Sequence, residues 1–161
     1  MIIRNVNTNE LSIDLSKIYG DINIIEHHKP YGLWYQINGS WVDWCNSNWS
    51  NRIGKNNFKI QLNLKNVLII DTAKKLKDFN DKYKVTMFSI PEHNLEFNIV
   101  DWNKVKKDYK GIEIRNYHKI KNMGFTFFSI SFLWFLGWDV DSGCIWDLTA
   151  LKNINHVSST I

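Results

Sequence analysis

Apolar and polar residues alternate without a break over Phe58-Lys59-Ile60-Gln61-Leu62-Asn63-Leu64. That period of two is the signature of a strand with one buried face. Val67-Leu68-Ile69-Ile70 is apolar throughout and ends at Asp71, which predicts a fully buried strand. Thr72 then stands where an N-cap belongs, before a helix whose apolar stripe is Leu76, Phe79 and Tyr83. A second helix begins at Asp101, carries Trp102, Val105 and Tyr109 on one face, and stops at Lys110-Gly111. Gly111 to Arg115 reads as a strand in which Ile112 and Ile114 share a face and Glu113 points the other way.

Earlier in the chain, Ile2 to Ile25 reads as strand and turn material, and His27-His28-Lys29-Pro30 breaks it. A strand over Gly32 to Ile37 closes at the turn Asn38-Gly39. Ser40 is placed to cap a short helix bearing Trp41, Trp44, Cys45 and Trp49, with Trp41 and Trp44 at core spacing. The Phe-rich run 125–138 fits a helix through Phe125, Phe128, Phe132 and Phe135, and its alternation fits a strand almost as well. Asp141-Ser142-Gly143 forms a turn into a closing strand, Cys144-Ile145-Trp146. No internal repeat or linker interrupts the pattern. The sum is an α+β fold: a single compact domain over residues 1–161, mainly antiparallel sheet with three or four helices.

Composition changes this picture in three places. At 44% hydrophobic and 22% charged, the chain has enough apolar residue for a sizeable core, which excludes a disordered tail. Asn, Ile and Lys number 20, 21 and 17, a bias of A/T-rich codons, and eight Trp run against that bias. The net charge is +4, but only Arg4, Arg52 and Arg115 are arginine. The lysines cluster in Lys74-Lys75-Leu76-Lys77 and Lys104-Val105-Lys106-Lys107, which are solvated helix faces or a loose nucleic-acid contact. Cys45 and Cys144, without a CxxC or clustered His, make no zinc pattern, so no metal is expected. The opening residues lack the apolar core and cleavage site of a signal peptide, and free thiols suit a reducing cytoplasm. The uncharged run 122–138 is shorter than the ~20 apolar residues of a membrane span.

Candidate chemistry gathers in three segments. In Lys29-Pro30-Tyr31-Gly32-Leu33-Trp34, a rigid proline, a glycine and aromatics beside a lysine suit the entry to a flat or anionic ligand. In Tyr109 to Ile114, Glu113 is a carboxylate able to orient a hydroxyl or stabilise a developing cation, or an ordinary solvated strand residue. In Trp138 to Asp147, two tryptophans flank an acidic, glycine-containing turn able to close a pocket. Cys144 reads as a buried, inert thiol. No GxSxG, Walker or GxGxxG motif is present, which removes serine hydrolases, P-loop NTPases and Rossmann enzymes.

Together these segments resemble a family of small, uncharacterised phage and viral proteins: Lys29 to Trp34 (KPxGLW), Trp41 to Cys45, Leu68 to Thr72, Tyr109 to Ile114 (YxGIEI) and Trp138 to Trp146 (WDxxSGCIW). The order of parts is also similar, at the level of fold, to ADP-ribosyltransferase-like domains. That resemblance implies a chain acting in host cytoplasm that binds or cleaves NAD and transfers ADP-ribose to a host protein or nucleic-acid acceptor. It implies Glu113 as the catalytic anchor on the nicotinamide ribose. His28 or Lys29 would be the early basic element, although the usual Arg-Gly or His-Gly-Thr form is missing. Tyr31, Gly32, Trp34, Thr72, Trp138 and Ser142 would complete the nucleotide site. The alternative is a non-enzymatic module that docks on a host protein or nucleic acid through exposed aromatics and lysines, with no membrane role.

Overall fold

A computed structural model describes residues 1–18, 29–93, 95–123 and 132–159. In chain order the strands are β1 (Arg4–Thr8), β2 (Leu33–Ile37), β3 (Asn56–Leu62), β4 (Val67–Ile70), β5 (Lys84–Ile90), β6 (Leu95–Val100), β7 (Gly111–Ile114), β8 (Ser142–Ile145) and β9 (Leu151–Ser159). Five α-helices stand among the described residues, rather than three or four: α1 (Ser40–Asn48), α2 (Ala73–Tyr83), α3 (Trp102–Asp108), α4 (Tyr117–Asn122) and α5 (Leu133–Leu136). Seven strands form one sheet in the order β4-β7-β8-β2-β1-β3-β9, antiparallel except for the edge pair β4–β7. The crossover between β4 and β7 contains α2, the separate β5–β6 hairpin and α3. The domain is therefore α+β and mainly antiparallel.

The sheet divides two cores. On one side α2 to α5 cover β4, β7 and β8 with an aromatic-rich cluster in which Trp102, Trp134, Trp138 and Trp146 are all buried. On the other lie Val6, Leu33, Tyr35, Ile37, Phe58, Ile60, Val67 and Ile145. The strict alternation of β3 buries Phe58 and Ile60 and exposes Lys59 and Gln61, as its pattern requires. Thr72 caps α2 by accepting from the Lys75 N–H at 3.3 Å, and Asp101 caps α3 from the Lys104 N–H at 3.1 Å. Leu76, Phe79 and Tyr83 are the buried stripe of α2.

Several expectations need correction. Ser40 is the first residue of α1 rather than its cap, and its hydroxyl donates to the Asp141 carbonyl at 2.5 Å. The N–H groups of Trp41 and Val42 instead meet Gln36 Oε1, each at 3.2 Å, so the helix start is pinned to β2. Ser142 and Gly143 are not a turn but the first half of β8, paired with Gln36 and Tyr35. The chain reverses just before them, where Asp139 adopts φ 72°. Within the run 125–138, helix is confined to Leu133–Leu136 among the described residues, and Phe125 and Phe128 lie outside them.

The β5–β6 hairpin shows one apolar face. Phe88 and Phe97 stack in parallel with centroids 5.0 Å apart, and Met87, Phe88 and Ile90 remain exposed at its far end. The lysines of α2 face solvent in ion pairs, Lys74 with Asp78, Lys75 with Asp71 and Lys77 with Asp81. Lys82 pairs with Asp108 and Lys104 with Asp101. The α2 face is therefore charge-compensated, whereas in the second run Lys106 and Lys107 make no ion pair among the described residues.

Candidate functional site

Register decides which residues can meet. Trp34 pairs with Cys144, which pairs with Ile112, so these three side chains share the helix-covered face. Tyr35 pairs with Gly143, which pairs with Glu113, and this adjacent row points to the opposite face. Trp34 and Glu113 are therefore separated by the sheet itself.

On the Trp34 side, a cleft of about 590 Å³ opens between the sheet and α1. Its walls include Trp34, Trp41 and Trp138, with Lys29 and Arg52 at the rim and the amides of Asn7 and Gln36 beneath. Trp34 and Trp138 meet at 4.8 Å between centroids with their planes tilted by 51°. The Trp34 indole donates to the Pro30 carbonyl at 3.2 Å, so the proline entry fixes the ring in place. Lys29 Nζ stands 5.5 Å from the Trp34 ring centre and 3.8 Å from Asp139. Burial lowers the Lys29 pKa, and Asp139 offsets only part of that. Gln36 has its oxygen committed to α1, which leaves the amide NH₂ as the group it can offer a ligand. Among the described residues no carboxylate lines the cleft.

From Trp41 the aromatic surface continues outward. Trp41 stacks on Trp44 at 5.3 Å with an interplanar angle of 18°, and Trp44 meets Trp49 edge-on at 5.1 Å. The Arg52 guanidinium lies 4.4 Å over Trp49 while also lining the cleft. Only Cys45 is buried in α1. The expected core role of Trp41 and Trp44 is thus not met: both are half-exposed, and Trp49 is 49% exposed.

On the opposite face, Glu113 is saturated. Its Oε2 accepts from Arg4 Nε at 2.6 Å and Tyr35 Oη at 2.9 Å; its Oε1 accepts from Arg4 Nη2 at 3.0 Å and Arg115 Nε at 2.6 Å. Its side chain has no exposed surface. Burial alone would raise its pKa, but hydrogen bonds and charge from Arg4, joined by Arg115 and Tyr35, outweigh that and hold it below the ordinary value. The Tyr35 phenol is pushed well up, first by burial and then by Glu113. Tyr35 reaches the carboxylate by crossing Gly143, where a Cβ would sit 2.3 Å from its Cζ and Oη. A carboxylate with four donors and no solvent has no lone pair in reach of a ligand.

Of the residues that the sequence nominates, Lys29, Trp34, Trp138 and Ser142 come together at the cleft. Glu113 does not join them. Thr72 is engaged in capping α2, and Tyr31 is exposed and outside the cleft wall. Gly32 serves packing, since a Cβ there would lie 2.4 Å from the Ile145 carbonyl oxygen. His28 lies outside the described residues. Asn7, Gln36, Trp41 and Arg52 are wall residues that sequence reasoning missed. Arg52 carried a signal, being one of three arginines and three residues after Trp49. No cluster of three His, Cys, Asp or Glu able to hold a metal occurs among the described residues. No helix among them is long and apolar enough to cross a membrane. No family model matches the chain, and neither does any curated protein or solved structure.

Proposed function

We propose that this protein binds a nucleotide in the tryptophan cleft, with the base against Trp34 and Trp41, Trp138 supporting them from the core, and the phosphates toward Arg52 and Lys29. The observation that carries this reading is a cleft walled by three indoles and rimmed by two cations, with no carboxylate in its lining among the described residues. A flat π-system stacks on indole, while a guanidinium donates its forked N–H groups to phosphate oxygens. The Gln36 NH₂ supplies a directional contact to a base edge, whereas the Asn7 amide is held by Gly54 and Asn57.

NAD belongs among the ligands to be tried, as the ADP-ribosyltransferase resemblance implies. The binding half of that expectation finds support in Lys29, Trp34, Trp138 and Ser142. The catalytic half would need an anchor other than Glu113, which belongs to the opposite face. Binding without turnover is therefore the reading we adopt.

The test is titration of the purified protein with NAD, ATP, GTP and UMP, read as quenching of intrinsic tryptophan fluorescence. At least one should quench saturably, Trp34→Ala should remove the response, and Arg52→Ala should weaken phosphorylated ligands more than nucleosides. If millimolar concentrations of all four leave the emission unchanged, the reading is wrong.

A further inference from the structure

We infer that the cleft is one end of a longer site, and that its ligand is single-stranded nucleic acid. This rests on the nucleotide reading above and extends it. The cleft holds one base, and the Trp41–Trp44–Trp49 ladder provides the surface on which the next ones lie.

Three features support the extension. The ladder is continuous with the cleft, because Trp41 belongs to both. A helix that packs only for stability hides its aromatic face, yet α1 buries only Cys45 and leaves its two tryptophans half-exposed. Arg52 then joins the two parts: it lies over Trp49 at one end of the ladder and lines the cleft at the other. A cation there can meet the phosphate linking a base in the cleft to a base on the ladder.

Charge selects the partner. Among the described residues the cleft wall contains Lys29 and Arg52 and no acidic side chain, and Lys55 follows Arg52 closely in an exposed position. The lysine-rich face of α2, the obvious place to seek nucleic acid from sequence, is neutralised by Asp partners, and in α3 Lys104 alone is paired among the described residues. The cations of the cleft, Arg52 and the Lys29 that also meets Asp139 at 3.8 Å, stand beside the aromatics, and that combination suits unpaired bases on a backbone. A duplex keeps its bases stacked on each other and offers nothing to the ladder.

The experiment measures fluorescence anisotropy of a labelled oligothymidylate of about a dozen nucleotides, in parallel with thymidine monophosphate binding to the same protein. The oligonucleotide should bind at least about tenfold more tightly than the mononucleotide, and duplex DNA should compete poorly. Trp49→Ala and Trp44→Ala should bring the oligonucleotide to mononucleotide affinity and leave mononucleotide binding unchanged. Both side chains are exposed or half-exposed, and a circular-dichroism melt checks that each variant folds. If the mononucleotide binds and the oligonucleotide is no tighter, or the ladder variants bind it like wild type, this inference fails and the nucleotide reading stands. If neither ligand binds, this inference fails, and the nucleotide reading is decided by the titration with NAD, ATP, GTP and UMP. Displacement of the oligonucleotide by soluble cello-oligosaccharides would also overturn it, in favour of a sugar-binding cleft.

Discussion

Replacing Glu113 by Gln tests how the two faces of the sheet divide their labour. The substitution keeps the shape and one acceptor oxygen but removes the negative charge between two guanidiniums. In the folded protein the carboxylate takes four hydrogen bonds, three of them from Arg4 and Arg115, with no surface of its own exposed. Removing one partner of a buried ion pair costs about 3–5 kcal/mol, because the remaining charge is left without compensation. Arg4 and Arg115 keep 12% and 23% of their side-chain surface in water, which places the cost near the lower end, about 3 kcal/mol. With a urea dependence of about 2 kcal/mol per molar, the unfolding midpoint should fall by roughly 1.5 M. The sign of the pH dependence follows from the depressed pKa of Glu113. Its contribution is present above the unfolded value of about 4.3 and is lost as the pH falls through the lower folded value. Glu113→Gln should therefore remove part of the acid limb of the stability curve while leaving nucleotide quenching intact. A midpoint within about 0.5 kcal/mol of wild type, or an unchanged acid limb, would refute the assignment of Glu113 to the sheet's internal pairing.

Gly143→Ala should be among the most damaging single-atom additions. The new Cβ would meet the Tyr35 ring at 2.3 Å, and overpacking of this kind costs about 1–3 kcal/mol, read as a lowered melting temperature. Trp134→Phe should destabilise more than Trp102→Phe: the Trp134 indole donates to buried Asn80 at 3.1 Å, whereas the buried Trp102 nitrogen has no partner among the described residues. The difference, about 1–3 kcal/mol for the orphaned Asn80 oxygen, can be measured by urea denaturation. Neither cysteine should react with a disulfide reagent until urea unfolds the chain. Both are fully buried, and burial pushes the Cys144 thiol well above its ordinary pKa.

Local chemistry made part of the fold readable. The alternation of Phe58 to Leu64, the Thr72 and Asp101 caps, and the opposed directions of Ile112 and Glu113 all depend on neighbours within a few residues. Half of the cleft was readable for the same reason, since Lys29, Pro30 and Trp34 act as one local unit. What escaped was non-local. Arg4 and Glu113 are 109 positions apart, and nothing at either end announces the pairing. Gly143 looked like a turn glycine because its real requirement, room for the Tyr35 ring, comes from a strand far away in sequence. Trp41 and Trp44 have the spacing of a core stripe, and only the tertiary setting of α1 shows that no core lies beneath them. Arg52 has no periodic signature and reaches the cleft through the loop after α1.

The position of β8 has a consequence for how the chain acquires its shape during synthesis. β2, β1 and β3 form one antiparallel group, and β4 and β7 form another; β8 is the strand hydrogen-bonded to both. Because β8 spans residues 142–145, the two groups have no shared edge until that late stretch emerges from the ribosome. A nascent chain shorter than this holds Arg4 and Glu113 in separate pieces, each with an open strand edge and an apolar face. Such a topology disfavours folding from the N-terminus onward and places the cooperative step after β8 has been made.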